Sequence, residues 1–264
     1  MVNYAFSIEE LEYFLLIMVR VTCFLFIAPF FGTDGVPARV KIGFGFFLSI
    51  LLYYVTMPHG ALEMNTTLDI ATLVLKEASA GLLIGLGANV CASIVLFAGR
   101  VIDTEMGLVM AGQMDPTTKE EATLSGMFYQ YLILLIMIIS GMYQYFIQAL
   151  TETFELIPIG TVSFNLDGIL NGFISFMGRY MIVGFKICLP VFATIMLLNA
   201  VLGILAKVAP QMNMFSVGIQ LKVITGLAIL FLTIGLLPNY ADIIFTEMKK
   251  MVVMFVEGMM DAGI

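Results

Sequence analysis

Six runs of apolar residues, at 13–31, 42–57, 70–99, 127–150, 169–206 and 223–237, dominate the chain and leave only short polar connections between them. In hydrocarbon a segment must satisfy its own backbone hydrogen bonds, which a helix does alone, and about 20 helical residues cross the bilayer core. The chain is therefore predicted to be an all-α integral membrane protein. Composition agrees: 61% of the 264 residues are apolar and 12% charged, where a water-soluble domain carries about 45–50% and about 25%. The first 12 residues contain acidic side chains, no basic stretch and no small-residue cleavage pattern, so the first run is expected to stay in the mature protein.

The runs are unequal. The fifth covers 38 positions, about 57 Å as a helix, so it must bend, break or project from the bilayer. Pro190 near its middle removes a backbone donor and predicts a kink or a hairpin there. The sixth run is short for a crossing. Arg39 and Lys41, Arg100 and Lys119, and Lys207 and Lys222 fall in the first, third and fifth connections, while the N-terminus and the even connections carry no basic residue. The positive-inside rule puts the odd connections in the cytoplasm. Lys249 and Lys250 then place the C-terminal tail against that rule.

Several function classes lack raw material. The net charge is −7 with no separate basic run, so nucleic acid is not an expected partner. One histidine, His59, no tryptophan and three scattered cysteines, Cys23, Cys91 and Cys188, offer neither a metal cluster nor a His-based triad. Gly85 and Gly87 are followed by Val90, without the third glycine of a dinucleotide fingerprint, and no phosphate-binding loop of the Walker type exists. No cofactor and no enzyme activity are expected.

Arg20, Lys76, Glu77, Arg179 and Lys186 lie inside apolar runs, and each charge costs about 2.5–3.5 kcal/mol at a bilayer centre. They are expected to face protein or water; Lys76 and Glu77 have the blander option of a local pair near the headgroups. Gly81, Gly85, Ala88 and Ala92 share one helical face, a surface suited to close helix packing.

The longest polar interruption spans 100–126. Gly107, Gly112 and the Asp115-Pro116 pair make one continuous helix improbable there. Met106, Met110 and Met114 recur every four residues, a deformable stripe that is either core packing or a compliant obstruction. In the C-terminal stretch 242–262 an amphipathic helix is predicted over 242–258. Ile244, Met248, Met251, Val252, Phe255 and Met259 fall on one side, and Glu247, Lys250, Glu257 and Asp261 on the other.

The stretch GILAKVAPQMNMFSVGIQLK resembles the signature of the FliR family of flagellar type III export-gate proteins, with Lys207, Ala209, Pro210, Gln211, Asn213, Phe215, Gly218 and Lys222 at the matching positions. Pro29, Phe30, Phe31, Gly32, Pro37 and Lys41 are similar to the family's first loop. Glu77, Gly81, Gly85, Gly99, Asp103, Gly107 and Asp115-Pro116 match its third run and following loop. Lys207 stands where arginine is common, and Lys119, Glu120 and Glu121 make the third connection unusually charged. The first departure loses a bidentate fork for any carboxylate pairing.

The resemblance implies a fold like a fusion of FliP and FliQ, built of helical hairpins that need not all cross the bilayer. It implies a gate in the bacterial inner membrane, at the flagellar basal body, assembled with FliP-, FliQ- and FlhB-type proteins and passing unfolded flagellar subunits. It also places Met106, Gly107, Met110, Gly112, Met114, Asp115 and Pro116 near the pore as a plug. Two rival readings are a small-molecule or ion transporter, suggested by interrupted apolar runs with embedded charges, and an intramembrane enzyme. The first lacks an internal repeat; the second has only Glu77 as an acid within a run.

Overall fold

The computed structural model describes residues 8–32, 35–56, 67–108, 123–211 and 213–260, and among these all regular structure is helical. The elements are α1 (Ile8–Ile27), α2 (Ala38–Val55), α3 (Thr67–Ala92), α4 (Ile94–Met106), α5 (Leu124–Ile139), α6 (Met142–Leu156), α7 (Leu166–Val208), α8 (Met214–Thr233), a single 3-10 turn (Ile234–Leu236) and α9 (Leu237–Met259).

Local chemistry explains the boundaries. Pro37 precedes α2 with φ −57°, and its carbonyl accepts from the Val40 amide at 2.9 Å. Proline has no donor to lose at a helix start. Gly107 ends α4 in the left-handed region, φ 80°, which glycine enters without steric cost. Asn213 caps α8, its side chain accepting from the Ser216 amide at 3.4 Å.

Several sequence expectations need correcting. The run 127–150 is not one helix: it breaks at Ser140 and Gly141 into α5 and α6, with Gly141 at φ 71°. The run 70–99, by contrast, falls within one apolar span, Leu68–Met106, in which Ser93 is a single turn residue between α3 and α4. Pro190 produces no hairpin; α7 is helical through it for 43 residues. One proline removes one backbone donor, and the bonds on either side of it keep the helix going. The short run 223–237 is part of a much longer helical stretch, because the 3-10 turn joins α8 to α9 and Ser216–Met259 is apolar enough to cross a membrane. Among the described residues, four helical stretches are long and apolar enough to qualify as spans, or five when α5 and α6 are counted as one broken span.

The chain divides into two compact units. The first comprises Met1–Cys91, Gly141–Phe176 and Glu247–Ile264. Its core gathers Ile17, Val21 and Phe24 of α1, Ile84 and Ala88 of α3, Phe146 and Leu150 of α6, and Met248, Met251 and Phe255 of α9. The second comprises Ala92–Ser140 and Met177–Thr246. Here Ile94, Ala98 and Ile102 of α4, Ile133 and Met137 of α5, and Ile187, Val191 and Ile195 of α7 are among the buried apolar side chains.

Burial along α9 matches the spacing on the apolar side, where Ile244, Met248, Met251, Val252, Phe255 and Met259 are all buried. The polar side needs one correction. Glu247 is buried as well, its carboxylate accepting from Lys250 Nζ at 2.9 Å. The helix also starts at Leu237 rather than at 242.

Candidate functional site

Charge inside the first unit is organised around Arg20 and Glu77. Both are essentially solvent-free, at 1% and 0% exposure, and Arg20 Nε donates to Glu77 Oε2 at 2.6 Å. Arg20 Nη1 donates to the Thr153 and Ile157 carbonyls, at 3.3 and 3.0 Å. These carbonyls lie at the C-terminal end of α6, where the Thr153 carbonyl also accepts from the Ile157 amide at 2.9 Å and the helix dipole favours a cation. Glu77 Oε1 accepts from the Gly160 amide at 3.0 Å. The guanidinium also lies 4.5 Å over the Phe154 ring, an arrangement that stabilises a cation whose Nη2 has no acceptor among the described residues. One ion pair thus ties together α1, α3, the end of α6 and the start of the connection to α7.

The backbone makes that pair possible. Glu77, Gly81 and Gly85 lie one turn apart on α3, as do Arg20 and Phe24 on α1, with Ala28 just past its end. A Cβ on Gly81 would run into the Arg20 carbonyl oxygen, and one on Gly85 would stand 3.0 Å from that of Phe24. The small-residue face brings the helices close enough for a short Arg–Glu bond. Lys76, the other candidate partner for Glu77, is exposed.

A second arrangement, in the other unit, joins the end of α4 to the start of α5. Asp103 is 2% exposed, and its two carboxylate oxygens accept from the Ser125 amide at 3.3 and 3.1 Å. The carboxylate so satisfies an orphan donor at the start of α5. Close by, a Cβ on Gly99 would collide with the Cα and nitrogen of Gly126. The paired glycines set the helix separation and Asp103 fixes the register. Met106 closes α4 as a fully buried side chain against Gly226 of α8. Met110, Gly112, Met114, Asp115 and Pro116 lie outside the described residues.

The third arrangement is the turn between α7 and α8. Val208 ends α7, the Ala209 amide still donating to the Leu205 carbonyl at 2.8 Å. Pro210 and Gln211 are exposed, Asn213 caps α8, Gly218 is buried, Lys207 is exposed and Lys222 half-buried. Nothing is described of the Phe215 side chain. In the first connection Pro29 is buried and Pro37 exposed. Gly32 sits where a Cβ would meet the Phe26 and Ala28 carbonyl oxygens at 2.8 and 2.9 Å. Arg179 and Lys186 are exposed on α7.

The predicted residues therefore do not converge on one pocket. Arg20, Glu77, Gly81 and Gly85 form one cluster; Met106 and Gly107 stand at the α4 end; Lys207 to Lys222 line a hairpin. Sequence reasoning missed the role of Asp103 and the Arg20–Glu77 pairing. An acid one turn before the Gly107 helix end, and two opposite charges in separate apolar runs, were the available signals. Among the described residues no group of acidic, cysteine or histidine side chains is placed to hold a metal ion.

These features define a class: a polytopic helical membrane protein whose longest helices keep wide apolar faces uncovered. The chain belongs to the FliR family, since the sequence model for bacterial export proteins, family 1, matches residues 11–248. It is similar to flagellar biosynthetic protein FliR of Bacillus subtilis, with 32% identity over 85% of this chain and 86% of that one. The same protein of Aquifex aeolicus is 30% identical over 96% of both chains, and that of Escherichia coli 25% over 87% of both. The protein is accordingly a FliR-family flagellar export protein of the membrane, not an enzyme.

Proposed function

We propose that this chain is one subunit of a flagellar export gate, assembled with FliP- and FliQ-type proteins around a pore for unfolded flagellar subunits, with an FlhB-type neighbour at the cytoplasmic entrance. One observation carries the reading. α7 has 43 residues, and only 22% of its most apolar stretch is buried. At 1.5 Å per residue it is about 64 Å long, twice the roughly 30 Å of a hydrocarbon core. Ile182, Leu189, Leu197, Ile204 and Val208 are 56–75% exposed along it. Lipid tails cannot cover both ends of such a face, so neighbouring protein must. Ser216–Met259, 44 residues with 22% of its window buried, poses the same problem.

Within that gate, Gly107, Met110, Gly112, Met114, Asp115 and Pro116 belong to the seal, while Met106, buried against Gly226, is the fixed end from which it starts. A pore that holds back ions yet admits an extended chain needs a compliant closure, and methionine is unbranched and deformable. Removing residues 109–116, which spares the buried Met106 and the Gly107 cap, is expected to raise the ion conductance of cells several-fold while the gate still assembles. Unchanged conductance in an assembled gate would refute the seal.

The Ala-Pro-Gln turn supplies a second test. Gln211 is exposed and no hydrogen bond of the described chain depends on it, so its polar amide is offered to a neighbour. Gln211→Ala is expected to leave the subunit inserted and folded but to weaken co-purification with the FliP- and FliQ-type proteins and reduce motility. Full recovery of both would remove this residue from the interface.

A further inference from the structure

The exposed faces of the long helices differ in chemistry. On α7 the uncovered surface includes Gly178, Ala193, Ala200 and Gly203 together with Arg179 and Lys186. Small residues and embedded charges are what helix–helix contacts in membranes use, and what hydrocarbon penalises. α2 is the opposite case. Its uncovered face from Val40 to Val55 presents Val40, Ile42, Phe44, Phe46, Phe47, Leu51, Tyr54 and Val55. Gly43 is the one small residue among them, and beyond Lys41 the helix carries no charge.

Length sorts the two helices the same way. The 18 residues of α2 span about 27 Å, close to the roughly 30 Å of a bilayer core, whereas α7 is more than twice as long. The ends of α2 differ as bilayer anchors do. Arg39 is exposed and Lys41 half-exposed at its start, and Tyr53 and Tyr54 stand at its far end. Lys41 Nζ rests 5.8 Å over the Phe26 ring of α1, which holds the cation at that end. The opposite face is already used: Gly45 abuts Thr22 of α1, and Ser49 Oγ donates to the Gly45 carbonyl at 2.6 Å, so no polar group there seeks a partner.

We infer that the uncovered face of α2 is the surface this protein turns to the lipid bilayer, with acyl chains against Phe44, Phe47 and Leu51, anionic headgroups at Arg39 and Lys41, and the opposite interface at Tyr54. Two basic residues match the diffuse negative charge of a headgroup layer rather than a pocket for one lipid species. Tyrosine prefers the headgroup level, where its ring is half in hydrocarbon and its hydroxyl is wet. The subunit then meets protein through α7 and lipid through α2. This assignment does not depend on the identity of the neighbouring subunits.

The chain has no tryptophan, so Phe47→Trp and Tyr54→Trp each add one fluorophore. Each variant is purified in the assembly it forms in the cell and reconstituted into vesicles of phosphatidylcholine and phosphatidylglycerol. The lipids are brominated either deep in the acyl chains or near the headgroups, and emission of the unsubstituted assembly is subtracted. The added emission of Phe47→Trp is expected to fall by about half or more with deep bromines, while Tyr54→Trp responds more strongly to shallow ones. Both replacements keep an aromatic ring on an exposed position, so folding is preserved. Failure of both tryptophans to be quenched in an intact assembly would mean that protein covers this face, and would overturn the assignment. Equal quenching of both by deep and shallow bromines would overturn the orientation of the helix across the bilayer.

Discussion

Glu77→Ala is expected to be the most damaging single truncation in the first unit. It removes the carboxylate that accepts from Arg20 at 2.6 Å and from the Gly160 amide at 3.0 Å, leaving a buried guanidinium with only the two α6 carbonyls and the Phe154 ring. Losing one member of a buried pair costs about 3–5 kcal/mol, most of it the penalty of the abandoned charge. Measured as resistance to thermal or denaturant unfolding in detergent, the variant should lose much of its stability and accumulate poorly in the membrane. The double variant Arg20→Met, Glu77→Leu separates charge from shape. With both charges gone it should recover most of the loss, because apolar replacements fill similar volume without an unpaired ion. If the double variant is as unstable as the single one, the pair is indispensable for its hydrogen bonds to α6 and Gly160 rather than for mutual neutralisation.

Gly99→Val is the corresponding test in the second unit. Even a Cβ at this position would collide with the backbone of Gly126, and backbone atoms cannot rotate away as the end of a side chain can. α4 and α5 would have to separate, pulling the Ser125 amide off Asp103. Overpacking costs about 1–3 kcal/mol where side chains can adjust, and more is expected where they cannot. The variant should therefore show faster hydrogen exchange at the Ser125 amide, and lower stability than a Val40→Ala control on an exposed face. Unchanged exchange at Ser125 would mean that the glycine contact and the Asp103 cap are independent.

Much of the molecule was readable in one dimension. Hydropathy alone required helices and a membrane, because an unpaired backbone group has no solvent partner in hydrocarbon. Four-residue spacing identified Gly81 and Gly85 as a packing face and Ile244 to Met259 as the apolar side of an amphipathic helix; that this side is buried within the chain itself is a result of the structure. The Ala-Pro-Gln block carried the family, and Asn213 within it caps α8 through a contact only three residues long.

What the linear pattern misjudged were places where apolar character continues while the backbone does not. Apolar residues continue on both sides of Ser140 and Gly141, so the run 127–150 looked continuous; the left-handed glycine that divides it has no hydropathic signature. Of the two outcomes expected at Pro190, a kink or a hairpin, the hairpin does not occur, since the cost of one missing donor was outweighed by the bonds of a helix that persists on both sides.

The sequence by itself determined the class of solvent, the helical state and the family, since these follow from side-chain composition, short-range spacing and a contiguous motif. Only the tertiary structure decided that Arg20 pairs with Glu77 across 57 positions and not with a nearby acid, that Asp103 serves α5 across 22, and that Met106 is core. Those outcomes depend on which helices approach within a few ångströms. That approach is set by the simultaneous packing of several faces, which no local stretch of sequence contains.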